Sequence, residues 1–209
     1  GSQTFSKSIT QLPFGVSPYF VKKAKGAYFW DVDNNQYLDF SNALASVTLG
    51  YCDSDVDSAV KKQMECGVTF SLPHTLEADV AKILIDAIPC AEQVRFAKNG
   101  TDATSGAVRV ARAFTGKERI AVCGYHGWQD WYIGSTTKNL GVPKCVQDLT
   151  HTFSYNNIDS LKNILEKFPD EFAAVIMEPM SGEYPEDYFL EKVKELAHNS
   201  GALLIFDET

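Results

Sequence analysis

The second half of this chain alternates short apolar runs with longer stretches of helical spacing, and that alternation constrains the fold more than any other feature. The runs occupy residues 93–97, 120–123, 172–177 and 202–206. Runs this short, rich in Val, Ile, Phe and Leu, fit strands covered on both faces, and helices between them let successive strands lie parallel. Helices are expected at 101–114, apolar at Ala103, Ala107, Val110 and Phe114, at 158–168, stopped by Pro169, and at 188–198, stopped by Gly201. The pattern predicts an α/β layer with a largely parallel sheet. Its last run, Ala202-Leu203-Leu204-Ile205-Phe206, hands Asp207 to the carboxyl edge of that sheet.

The first third reads differently. Two aromatic and branched runs at 27–33 and 36–40 flank Asn34-Asn35, which predicts a hairpin. Ser54 with Asp57 three positions on forms a variant capping box for a helix carrying Val56, Ala59, Val60 and Met64 up to Gly67. A second helix carries Leu76, Val80, Ile83, Leu84 and Ala87 before Pro89. The change of rhythm divides the chain into an N-terminal segment, 1–66, and the start of an α/β domain, 67–209. Neither part closes a core of its own, so the chain reads as a piece of a larger protein.

Composition narrows the class. At 209 residues, 44% hydrophobic and 22% charged, the chain fits an ordered globular protein, and its net charge of −8 disfavours a broad nucleic-acid-binding field. No run approaches the roughly 20 apolar residues of a membrane span. Five scattered cysteines, without CxxC spacing, argue against a disulfide framework or structural zinc, and reduced cytoplasm is the simplest compartment.

Open α/β sheets bind ligands outside the carboxyl ends of their strands, so the residues after each run are candidate site groups. After 93–97 comes Lys98-Asn99-Gly100-Thr101, where a glycine and a hydroxyl can face an anion at a helix N-terminus; taken alone, the turn reads as an ordinary N-cap. After 120–123 comes Gly124-Tyr125-His126-Gly127, an aromatic between glycines that can stack on a flat ligand. A buried Tyr reads equally from those letters, and His126 fits a structural hydrogen-bonder. Glu178-Pro179 and Asp207-Glu208 end the last two runs. Paired acids admit a metal site or a glycoside hydrolase, but no His or third carboxylate stands at a matching strand end. An acid, a stacking aromatic and an anion cup together describe a planar, phosphorylated, nitrogen-containing ligand, and pyridoxal 5'-phosphate has all three features. In that reading Asp207 bonds the protonated ring nitrogen, Tyr125 covers a ring face, and Gly100 and Thr101 hold the phosphate. A nucleotide-binding domain would need a GxGxxG turn, which 99–101 does not supply.

These residues sit in a series of motifs that resembles the class III, fold-type I aminotransferases, most closely the glutamate-1-semialdehyde aminomutase branch. The series runs through nearly all of the chain: Lys25-Gly26-Ala27-Tyr28-Phe29-Trp30-Asp31-Val32-Asp33, Tyr37-Leu38-Asp39-Phe40, Leu49-Gly50, Val94-Arg95-Phe96, Asn99-Gly100-Thr101-Asp102-Ala103-Thr104, Arg109-Val110-Ala111-Arg112, Tyr125-His126-Gly127, Met177-Glu178-Pro179 and Phe206-Asp207-Glu208. The resemblance implies a three-layer α/β/α large domain, incomplete here, with part of a small N-terminal α+β lobe. It implies a cytoplasmic homodimer with active sites at the subunit interface and no nucleic-acid or membrane partner. It further implies pyridoxal 5'-phosphate bound by Asn99, Gly100, Thr101, Tyr125, His126, Glu178, Asp207 and Thr209, the last on the opposite ring face where the family usually has Val. Glu183 takes a supporting role beside Glu178.

The activity implied is movement of an amino group between an amino donor and a carbonyl acceptor. Asp207 is the catalytic residue assigned within the chain; the family's Schiff-base lysine falls beyond Thr209, so the segment alone is expected to be inactive. Two readings stand beside this one. An aminomutase of the glutamate-1-semialdehyde type would use every residue named, and a chain naturally ending at Thr209 would be a noncatalytic cofactor-fold remnant. Trp128-Gln129-Asp130-Trp131-Tyr132 and Tyr51-Cys52-Asp53-Ser54 depart from the branch, the first placing tryptophans in the pocket wall or beneath it.

Overall fold

In the computed structural model, which describes residues 4–180 and 182–209, the chain divides between Ala87 and Ile88 into two units. The composition change near 67–73 put that break between 66 and 67. The helix Thr75–Ala87 falls in the first of the two units, and the stretch 88–99 that follows it carries Pro89 and has neither helix nor strand.

The first unit follows a 3-10 turn, Phe5–Lys7, with an antiparallel sheet in the order β1 (Val21–Lys25), β2 (Tyr28–Asp31), β3 (Gln36–Leu38). The expected hairpin forms, with Asn34 left-handed at φ 68°. Asp31 holds it by accepting from the backbone N–H groups of Asp33 and Asn35, the Asn35 amide and the Tyr37 hydroxyl, at 2.8 to 3.0 Å. The Asn35 amide leads in lowering the Asp31 pKa, against the opposing effect of burial. Strand β1 was not expected, because Val-Lys-Lys-Ala-Lys lacks apolar alternation; its lysines suit an edge strand held by backbone pairing. Then α1 (Asn42–Ala45) makes a left-handed turn, and α2 (Ser54–Cys66) and α3 (Thr75–Ala87) follow. The cap of α2 is Asp53 rather than Ser54, its carboxylate accepting from the N–H groups of Asp55 and Val56 at 3.1 Å.

The second unit is a parallel four-stranded sheet in the order β5 (Thr150–Thr152), β4 (Arg119–Cys123), β6 (Phe172–Met177), β7 (Leu203–Phe206). Alternation along β4 and β6 gives it two apolar faces. Ala121, Cys123, Val175 and Met177 pack against α7 (Ile158–Lys167) and α8 (Phe189–Asn199), whereas Ile120, Val122, Ala174 and Ile176 pack against α4 (Gly100–Thr115) and α5 (Asp130–Ile133). A further short helix, α6 (Lys144–Gln147), precedes β5. Helices on both faces of a parallel sheet are the three-layer arrangement expected from the sequence. No helix among the described residues is long and apolar enough to cross a membrane.

Four details depart from expectation. Residues 93–97 form no strand, since no ladder partner exists for them among the described residues. The strand covered along its whole length is β6, while β7 lies at the sheet edge with Phe206 42% exposed. Helix α4 turns Thr104, Val108 and Ala111 inward and leaves Val110 and Phe114 exposed. A helix this rich in small residues offers two apolar stripes, and counting Thr104 as polar selected the outer one. Strand β5 was missed because Thr-His-Thr carries no apolar signal.

At the start of β4, Arg119 donates to His151 Nε2 at 2.9 Å, to the Asp148 carbonyl and to Glu171, and its guanidinium lies 3.9 Å from the centre of the Phe168 ring. Burial, then the charges of Arg119 and Lys167, push the His151 pKa down, against the opposite pull of Asp148 and Glu171. A depressed histidine stabilises the fold above its unfolded pKa, and that contribution falls away as pH drops below about 6.5, because the unfolded chain then binds the extra proton. Denaturant titrations between pH 7.5 and 5 should therefore show a shallower loss of stability for His151→Gln than for the wild type; equal slopes would discount the half-buried neutral histidine.

Candidate active site

Helix α4 opens without a side-chain cap. Asn99 precedes it in extended conformation, but its amide donates to Asp102 Oδ2 at 3.2 Å, and the N–H groups of Gly100 and Thr101 make no hydrogen bond among the described residues. Free N–H groups at the start of a four-turn helix attract an anion. The Thr101 hydroxyl stands beside them and accepts from the Trp128 N–H at 3.3 Å. This approach requires Gly127, buried at φ 99°, because a Cβ there would lie 2.1 Å from Thr101 Oγ1. Gly100 serves the other side: a Cβ would lie 2.8 Å from both the methyl and the hydroxyl of Thr209, so Thr209 packs directly on the turn.

Asp207 extends the β6–β7 pairing by one residue, its N–H donating to the Met177 carbonyl at 2.9 Å. Its carboxylate is almost wholly buried, with Oδ2 2.9 Å from His126 Nδ1 and Oδ1 accepting from the Thr209 N–H at 3.1 Å. His126 Nε2 in turn donates to the Cys123 carbonyl at 3.0 Å. Each ring nitrogen of His126 therefore faces an oxygen acceptor. Burial pushes the Asp207 carboxyl up, and the bonds from His126 and Thr209 outweigh it, holding the group ionised below the usual carboxylate range. The sequence placed His126 on the cofactor. In the structure its ring is completely buried, with one nitrogen on Asp207 and the other on the Cys123 carbonyl.

Tyr125 is 63% exposed, leaving a ring face open for stacking, and its N–H approaches Glu178 Oε2 at 3.4 Å. That carboxylate lies over Gly124, where a Cβ would come within 2.5 Å of it. Glu178 and Glu183 line a cavity of about 380 Å³ with Cys123, Gly124, Tyr155 and Gly182; Ser181 in the same stretch lies outside the described residues.

Residues 100, 101, 209, 207 and 126 thus form a continuous chain of contacts, and 125 and 178 adjoin each other. Sequence reasoning missed the buried Thr104, whose hydroxyl lies 3.1 Å from the His126 carbonyl and 3.2 Å from that of Thr101, and Ser105, which donates to the Thr101 carbonyl at 2.7 Å. Their spacing of three and four after Thr101 was the available signal, since it puts them one helical turn away. The tryptophans separate: Trp128 is 67% exposed and Trp131 is buried.

An anion cup, an exposed aromatic and a buried ionised acid fit a phosphorylated pyridine, and comparison with known proteins agrees. The family description Aminotransferase class-III matches residues 12–209. An omega-transaminase from Sphaerobacter thermophilus is 33% identical with a TM-score of 0.84, over 92% of this chain and 49% of its own. The FumI protein of Sphingopyxis sp. MTA144, solved in its PLP internal aldimine form, is 29% identical with a TM-score of 0.88, over 95% of this chain and 49% of its own. A glutamate-1-semialdehyde-aminomutase from Pseudomonas aeruginosa PAO1 is 26% identical with a TM-score of 0.75, over 90% of this chain and 44% of its own. The chain spans about half the length of these proteins. It belongs to the class III aminotransferases, a family of fold-type I pyridoxal 5'-phosphate enzymes.

Proposed function

We propose that the full-length protein transfers an amino group from an amino donor to a carbonyl acceptor with pyridoxal 5'-phosphate. The observation that carries this reading is the buried Asp207 carboxylate, held below the usual carboxylate range and hydrogen-bonded to the fully buried His126 ring. When bound, the cofactor supplies an electron sink for the carbon that bears the amino group. The N–H groups of Gly100 and Thr101, with the Thr101 hydroxyl, take the phosphate. Tyr125 covers one ring face and Thr209 the other. Asp207 keeps a proton on the ring nitrogen, and His126 keeps Asp207 charged while it does so. Asn99 shapes the phosphate turn, and Glu178 with Glu183 borders the space beside Tyr125. The lysine that shuttles protons is assigned to the half of the relatives' length that this chain does not span.

The protein is further proposed to be a homodimer of the cytoplasm, without nucleic-acid or membrane partners. Val110 and Phe114 on α4 and Val56, Val60 and Met64 on α2 form exposed apolar stripes that a second subunit would cover. The five cysteines are free, which suits a reducing compartment. An intramolecular aminomutase is the second reading, favoured by the likeness to the Pseudomonas aeruginosa enzyme.

In the full-length protein, Asp207→Asn should keep the cofactor but lose most turnover, since charge-assisted bonds of this kind contribute roughly 1.5–3 kcal/mol. Absorbance scans against a panel of amino donors check this, and unchanged turnover with an unchanged visible band would refute the assignment. The same panel separates transamination, which needs a second carbonyl substrate, from the intramolecular reaction. Gly127→Ala should displace Thr101 and raise the cofactor concentration for half-saturation at least about tenfold, on the order of 1.4 kcal/mol. Retention equal to wild type would remove Thr101 from the phosphate site.

A further inference from the structure

We propose that Trp131 and Tyr132, neighbours on the single turn α5, are positioning residues that set the orientation of Tyr125 and His126, and through His126 that of the Asp207 carboxylate. Both are buried, at 8% and 7% exposure, beneath the turn that carries Tyr125 and His126. The inference rests on the cofactor reading above and adds to it the element that aims the site.

Each side chain contributes an aromatic face and a polar tip, and the tips end on the site's own framework. The Tyr132 hydroxyl donates to the Gly124 carbonyl at 2.8 Å, fixing the peptide that leads into Tyr125. Its ring meets Tyr125 edge-on, with centroids 5.7 Å apart at 86°, and His126 likewise, at 5.4 Å and 75°. These are favoured edge-to-face arrangements, so Tyr132 restricts the tilt of both rings. Burial first, then the neighbouring Tyr125, pushes the Tyr132 pKa up, which keeps its hydroxyl a donor. Trp131 lies nearly parallel to His126, at 17° with centroids 6.4 Å apart, and blocks rotation of the imidazole on that side. Its indole N–H donates to Ser105 Oγ at 3.0 Å, and Ser105 donates to the Thr101 carbonyl. The Thr150 hydroxyl on β5 donates to the Trp131 carbonyl and anchors the turn to the sheet. One helical turn therefore ties together the phosphate turn, the stacking aromatic and the partner of the buried acid.

Plain core packing would predict lost stability on substitution and nothing else. Positioning predicts altered ligand handling in variants that keep both rings. The test uses the full-length protein with Trp131→Phe and Tyr132→Phe, each of which retains an aromatic and removes one donor. Three quantities are read: the melting temperature, the pyridoxal 5'-phosphate concentration for half-saturation, and the ring 15N chemical shifts of His126 at one fixed pH in the cofactor-free protein. Each variant should melt within a few degrees of wild type, need about fivefold more cofactor, as expected for one net hydrogen bond, and show displaced His126 ring 15N chemical shifts. A lowered melting temperature with unchanged half-saturation and unchanged His126 ring 15N shifts overturns the proposal. Should Trp131→Phe fail to fold, Tyr132→Phe decides alone. Wild-type protein that binds no cofactor would sink the functional reading, whereas the His126 resonances of the cofactor-free protein still answer for the brace.

Discussion

The buried contact between His126 and Asp207 is the interaction around which the second unit is arranged. A carboxylate 6% exposed and an imidazole with no exposure would each be costly to bury alone. They are tolerable together because every polar atom of the pair has a partner: Cys123 for one ring nitrogen, Asp207 for the other, and Thr209 for the second carboxylate oxygen. Each of those partners is delivered by a different part of the sheet. Cys123 ends β4, and Asp207 follows β7, whose pairing with β6 continues through the Asp207 N–H.

Once that pair is set, the surrounding glycines follow from contact distances. Gly127 lets the aromatic turn rest on Thr101, Gly100 lets Thr209 rest on the start of α4, and Gly124 lets the Glu178 carboxylate cross the chain. Any side chain at these three positions would meet an atom closer than 3.0 Å. Close backbone approach at strand ends is what allows free N–H groups, an aromatic and an acid to share one small region. The hydroxyls of Thr104, Ser105 and Tyr132 then donate to the carbonyls of His126, Thr101 and Gly124, and the Trp131 indole N–H donates to the Ser105 hydroxyl.

Most of the site could be read from the letters because it sits at strand ends. Apolar runs announce β4, β6 and β7, and the residue after each run is fixed by chain order alone, so Tyr125, Glu178 and Asp207 were legible as candidates. The supports were not legible. Thr104 looks like an ordinary helix polar residue, Trp131 could have faced a pocket, and β5 and β1 are strands by pairing rather than by composition. The choice between the two apolar stripes of α4 also depends on which face meets the sheet, a fact no local pattern contains.

The sequence by itself determined the α/β class, the order of the main elements and the residue types offered at each strand end, because periodicity and chain order are local properties. Only the tertiary structure decided the role of His126. Its two nitrogens find Cys123, three residues away, and Asp207, eighty-one residues away, and a contact at that separation exists only once β4, β6 and β7 lie side by side. There the hydrogen bonds from His126 and Thr209 hold the buried Asp207 carboxyl below the usual carboxylate range.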